Sequence, residues 1–322
     1  MSSSSPPPFL RTMNRREVCQ WSLAAILAAR IGRAAPTAPI ASRIIDTHTH
    51  FYDPTRPQGV PWPPAGSPLH RRVGPDDWLS LARPHGIRET VVVEASSWLA
   101  DNDWILALAE KEKCIVGFIG HLQPAEAAFS RELKRLAANP IFRGIRVSGR
   151  DLVDRIASPE FLAGVKLLAD QGLALEVNGV SDPAIIAGLA ERVPALRIVI
   201  DHCGNCGDAQ KLKQVWKEGM NACARHPQVW CKVSALAEMT DTPPGQAPAD
   251  PGYYLPVLDH LWSAFGADRL IYGSNWPVSE KGAHYDVIFT IVGAYFAQRG
   301  AAACENYFWK NSLQAYQWIE RK

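Results

Sequence analysis

Eight short apolar segments alternate with stretches of helical spacing along most of this 322-residue chain, and that alternation restricts the possible folds more than any other feature. The segments start with Arg43, Ile44 and Ile45. They continue with 89–97, 115–122, 142–149, 173–179, 197–204, 229–236 and 269–277. Each is short, rich in β-branched residues and almost continuously apolar, the pattern of parallel strands buried on both faces. Helical spacing fills 101–112, 125–138, 159–170, 183–192, 211–225, 253–265 and 285–298. Ser158 before Pro159 and Asp182 before Pro183 read as capping residues followed by proline in the first turn. Strict β, α alternation with short connections predicts an α/β fold, a single-domain (β/α)8 TIM-like barrel, rather than a doubly wound sheet.

In such a barrel the strand C-terminal ends and the loops after them build the active site. The first strand runs into Asp46-Thr-His48-Thr-His50. Strand alternation puts Asp46, His48 and His50 on one face, where two imidazoles can converge on an ion, a water or a carbonyl. The plainer alternative is a pair of structural histidines at a strand end. Later strands bring Glu94 and Ser96, His121, Arg146, Asn178, His202, Lys232 with Ser234, and Asn275 to the same mouth. Arg146 and Lys232 suggest an anionic group on the ligand; the alternative is that Arg146 pairs with Glu176 and Lys232 with another interior carboxylate. Residues 53–70 hold six prolines and Trp62, a stiff loop expected to cover the pocket. Trp98 and Trp276 also follow strands and are expected, with Trp62, to offer flat walls for a ring. Cys203 and Cys206, spaced Cys-x-x-Cys directly after His202, are a weak metal or disulfide signal.

Composition excludes some classes. A formal charge of +2 with no basic run interleaved with aromatics argues against a nucleic-acid surface, so the expected partner is a small molecule. Residues 1–42 read as an export signal and linker rather than as fold. Arg15 and Arg16 precede a short apolar stretch, 21–29, and small residues with prolines follow, which suggests the twin-arginine route and a periplasmic destination. The apolar stretch is too short for a stable membrane span. The barrel is assigned to 43–322.

Five motifs in order, IIDTHTHFYDP (44–54), FRGIRV (142–147), VIDHCG (199–204), VWCKVSAL (229–236) and YGSNWPV (272–278), resemble the amidohydrolase superfamily. Within it the chain is similar to the amidohydrolase-related group that includes sugar-acid lactonases and 2-pyrone-4,6-dicarboxylate lactonase. The resemblance implies a hydrolase that opens a cyclic ester of a sugar acid or dicarboxylate. It also implies metal ligands from histidines after strands one, five and six and an aspartate after strand eight, with a carboxylated lysine after strand four bridging an ion pair. His48, His50 and His202 match that pattern. Arg146 replaces the lysine, Asn178 stands at the strand-five position, and Asn275 stands where the aspartate is expected. An amide is a poor metal ligand and no base, so the expectation is no cofactor, or one weakly bound divalent ion, zinc or manganese. Three roles for Asn275 follow: orienting water in a metal-independent site, deferring to Glu94 or His121 as base, or marking a sugar-lactone isomerase or binding protein on the same barrel.

Overall fold

The computed structural model describes residues 40–321; the export reading of the N-terminal segment lies almost wholly outside them. Eight parallel strands follow in sequence order: β1 (Ile45–Thr49), β2 (Glu89–Val93), β3 (Ile115–Gly120), β4 (Phe142–Ser148), β5 (Ala174–Asn178), β6 (Arg197–Ile200), β7 (Val229–Val233) and β8 (Leu270–Tyr272). The two edges meet through a parallel bridge between Thr49 and Trp276, with the His50 amide donating to the Trp276 carbonyl at 2.9 Å. The sheet is therefore a nearly closed TIM-like barrel.

Helices pack outside. α1 (Pro75–Ala82) follows the long first loop, and α2 (Leu99–Lys111), α3 (Phe129–Ala137), α4 (Gly149–Arg155), α5 (Pro159–Asp170), α6 (Ala184–Arg192), α7 (Gln214–Ala224), α8 (Leu255–Phe265) and α9 (Tyr285–Gln298) continue the alternation. Ser158 caps α5 as expected, its hydroxyl accepting from the Phe161 amide. Asp182 accepts from the Ala184 amide, so it caps α6 from one residue further out. Four helices escaped the periodicity: α1, α4 and the two of the C-terminal run, α10 (Ala301–Glu305) and α11 (Asn311–Tyr316). That run closes the barrel floor, where Tyr316 and Trp318 join Ile45, Val91, Val93, Val116 and Ile271 in an inner core. Among the described residues no helix is long and apolar enough to cross a membrane.

The first strand corrects one expectation. Its register slips between Asp46 and Thr49, and a slip breaks the alternation of faces. Asp46 therefore turns outward, accepting from Trp78 Nε1 of α1 (3.2 Å) and the Tyr285 hydroxyl of α9 (3.0 Å), while its other oxygen accepts the Ser274 amide (2.8 Å). It ties two helices and β8 to β1 and does not share a face with the histidines.

Candidate active site

Two polar layers sit at the C-terminal end of the barrel. The lower one is buried. Lys232 from β7 is fully buried and its Nζ lies 2.7 Å from Glu176 Oε1, 3.1 Å from Asp201 Oδ1 and 3.0 Å from His48 Nδ1. Gly273 lets it pass: a Cβ there would come within 2.9 Å of His48 Cβ and 3.1 Å of Lys232 Cδ. The Tyr316 hydroxyl closes the cluster from below by donating to Glu176 Oε1 at 2.6 Å. Burial raises the Asp201 carboxyl, but the Lys232 ammonium outweighs it and holds Asp201 well below the ordinary range. Glu176 goes the other way: burial and the neighbouring Asp201 push it up to about 7 against the pull of Lys232.

An ammonium group has no lone pair, so His48 Nδ1 accepts from Lys232 and the His48 proton sits on Nε2. That Nε2 is buried with no protein partner. The His48 ring lies 4.5 Å from that of His202 and 4.9 Å from that of His50, centroid to centroid.

The upper layer lines a cavity of about 560 Å³ whose walls include His50, Trp62, Glu94, Arg146, Asn178, His202 and Asn275. His50 commits Nδ1 to the Val93 carbonyl (3.0 Å) and His202 commits Nδ1 to the Ser234 hydroxyl (2.9 Å), so each keeps Nε2 for the cavity. Burial and Arg146 push His50 down to about 3. Burial also pushes His202 down, to about 4, with Asp201 opposing and Lys232 and Arg146 assisting. Both imidazoles are neutral near pH 7. Arg146 is anchored on Glu94, its Nε donating to Oε1 at 2.9 Å and its Nη2 to the Glu94 carbonyl at 2.7 Å, while Nη1 lies 4.0 Å from Asp201 Oδ2. The mouth is shaped by left-handed residues after three successive strands, His202 (φ +51°), Ala235 (φ +55°) and Asn275 (φ +60°). Such backbone is uncommon outside glycine and concentrates at functional sites.

Of the residues singled out in sequence, His50, Arg146, Asn178, His202, Asn275, Glu94 and Trp62 meet at this cavity, and His48 lies beneath it. Four lie elsewhere. Lys232 faces the interior carboxylates Glu176 and Asp201 rather than a ligand. His121 belongs to a separate hollow with Gln123, Glu126 and Glu132. Trp98 precedes α2 and is 38% exposed, away from the cavity walls. Trp276 is buried in the core beside Phe51 and donates Nε1 to Glu280 at 2.9 Å. Cys203 and Cys206 are buried free thiols. Sequence reasoning passed over Asp201 and Glu238 and did not connect Glu176 with Lys232. The available signal was a charge inside a continuous apolar strand, Glu in LALEVNG and Lys in VWCKVSAL, since each demands a partner of opposite sign.

His48, Asp201 and His202 bring one donor atom each within 4.8 Å of one another, a spacing at which three residues could hold an ion. The Lys232 ammonium already takes His48 Nδ1 and faces Asp201, and His48 Nε2 carries a proton. An ion in that triangle would compete with a built-in cation, so the donor set does not fit a tightly held metal.

The amidohydrolase family model matches residues 45–318. An L-fucono-1,5-lactonase from Burkholderia ambifaria is 33% identical over 246 residues, 75% of this chain and 82% of that protein. Among solved structures, a zinc-bound amidohydrolase from Burkholderia multivorans superposes with a TM-score of 0.76 at 24% identity, covering 86% of this chain and 100% of its own. A probable 2-pyrone-4,6-dicarboxylic acid hydrolase from Acinetobacter baumannii, solved with citric acid bound, gives 0.68 at 17% identity over 86% of this chain and 100% of its own. Fold, motif order and the extent of these matches agree: the chain is a hydrolase of the amidohydrolase family.

Proposed function

We propose that this chain opens the ring of a sugar-acid lactone by adding water to its carbonyl. The observation that carries the reading is that His50 and His202, each with Nδ1 committed to the protein, turn Nε2 into one cavity beside Arg146. The likeness to an L-fucono-1,5-lactonase supports the substrate class.

In this reading the water oxygen bonds to the lactone carbonyl carbon while a water proton passes to His202 Nε2, a neutral base. Arg146, which lines the cavity, stabilises the oxyanion. Collapse of the tetrahedral intermediate breaks the ring C–O bond, and His202 returns its proton to the leaving alkoxide. Asp201 steadies the transient imidazolium, while burial, Lys232 and Arg146 keep it a strong acid. Arg146 also favours a ligand with an anionic or oxygen-rich edge. Positive charge comes from the protein's own Lys232 and Arg146, so turnover survives chelation.

The test is proton release from a panel of aldonic and dicarboxylic lactones with the untreated protein, a chelated sample and His202→Ala. Release that persists on chelation and disappears in the variant is expected; undiminished release by His202→Ala would overturn the assignment. A second reading, lactone isomerisation or ligand binding, draws on Asn275, since moving an ester within a molecule needs no activated water. Ring migration without proton release would establish isomerisation, and saturable binding without turnover would establish a binding protein.

A further inference from the structure

Behind Asn275 stands Glu238, from the loop after β7. Its Oε1 accepts from Asn275 Nδ2 at 2.8 Å, and its Oε2 is buried with no hydrogen-bond partner. A carboxylate only accepts, so this contact decides which way the amide points. Nδ2 is taken by Glu238, and Oδ1 receives no protein hydrogen bond among the described residues, although Asn275 lines the cavity. The charged and titratable groups facing Glu238 are Lys281, from the turn after β8, and Tyr254, at the start of α8. The 282 turn packs directly on its backbone, where a Cβ on Gly282 would meet Glu238 N at 2.7 Å. Burial pushes the Glu238 carboxyl up to about 7, with the Asn275 hydrogen bond and Lys281 opposing.

We propose, resting on the lactonase reading, that Glu238 is a positioning residue whose ionisation sets the polarity that Asn275 presents to the substrate cavity. With Glu238 ionised, Asn275 Oδ1 faces the cavity and accepts from the attacking water or a sugar hydroxyl. With Glu238 protonated, its O–H donates to Oδ1, the amide turns over, and the cavity meets an N–H donor instead. Water oriented through its own hydrogen is then lost. The family's expected carboxylate at this strand end is thus replaced by an amide whose direction a second carboxylate controls.

The experiment is a pH titration of the Asn275 side-chain amide by ¹⁵N NMR, assigned with Asn275→Ala, alongside the pH profile of kcat, in the unaltered chain, Glu238→Gln and Glu238→Asp. In the unaltered chain the amide signals are expected to move with a midpoint near 7, matched by an acid limb in kcat. Both are lost in Glu238→Gln, and both return with a shifted midpoint in Glu238→Asp, which also carries the test if Glu238→Gln does not fold. Amide signals that fail to titrate, or titrate alike in Glu238→Gln, would overturn the proposal. A titrating amide in a chain that opens no lactone would sustain the positioning role and sink the lactonase reading.

Discussion

The two polar layers of the barrel mouth differ in what their atoms have left to do. In the lower layer, the Lys232 nitrogen is surrounded by Glu176, Asp201 and His48, and nothing there faces solvent. In the upper layer, His50, His202 and Asn275 each spend one polar atom on the protein and keep another for the cavity. The buried layer sets charge and tautomer, and the open layer is the one that the lactonase proposal brings to the ligand. Charged side chains at a strand end are therefore not equivalent: depth decides whether a cation holds the site together or holds a substrate.

Lys232→Met breaks this distinction most severely. It removes the cation from two buried carboxylates and the donor from His48, and stripping one partner from a buried ion cluster typically destabilises by about 3–5 kcal/mol. A large fall in the urea midpoint with lost turnover is expected; a variant as stable as the parent would show that Lys232 does not neutralise the layer. His202→Ala should separate the layers cleanly. Removing a general acid–base group lowers rate by about 10²–10⁴-fold, and because His202 faces the cavity, the melting temperature should stay near that of the parent. Loss of both together would move His202 into the structural layer.

The barrel and the histidines were legible because both depend on local pattern. Continuous β-branched runs mark buried strands, and a polar residue just past such a run must lie at the mouth. For Lys232 the sequence left two readings open, a ligand cation or a partner of an interior carboxylate, since a residue midway along VWCKVSAL and one at its end differ by only a few ångströms of rise; the structure shows the second. Asp46 was misplaced for a related reason: the slip in β1 is a register effect between strands, and one strand's sequence does not contain it. α1 did announce itself through Gly74-Pro75-Asp-Asp, a proline and acidic first turn, but the proline-rich loop before it hid the periodicity. Glu238 lies in a connection with no period at all, and only its 2.8 Å contact with Asn275 reveals it.

Behind Asn275 in the open layer, Glu238 gives a thermodynamic signature. Its folded-state affinity for a proton is raised, from an ordinary 4.5 to about 7, so between those values the native state binds the proton more than the unfolded chain does. Stability from this group is present below pH 4.5 and is lost as pH rises to about 7, a change of roughly 3 kcal/mol at one pH unit per 1.4 kcal/mol. Glu176 shares the direction, so the informative quantity is the difference between the parent and Glu238→Gln. Denaturant melts at pH 5 and pH 8 should show a smaller drop in the variant. Equal drops would place Glu238 in contact with solvent rather than in the buried set.

The smallest effect on turnover belongs to Asp46, and it tests the boundary of the site from outside. Asp46 is buried, and burial raises its carboxyl against the hydrogen bonds from Ser274, His48 and Tyr285. Its oxygens serve the side chains of Trp78 and Tyr285 and the backbone amides of Ser274 and His48, and none of these residues lines the cavity. In Asp46→Asn one acceptor oxygen becomes an NH₂ aimed at another donor, which leaves a buried group unsatisfied and costs about 1–2 kcal/mol. Stability should fall by that amount, while kcat and KM measured below the new melting range should stay within about twofold. A rate loss comparable to that of His202→Ala would return Asp46 to the face of His48 and His50, and the register slip in β1 could no longer be what separates the helix-facing side of the strand from its barrel-facing side.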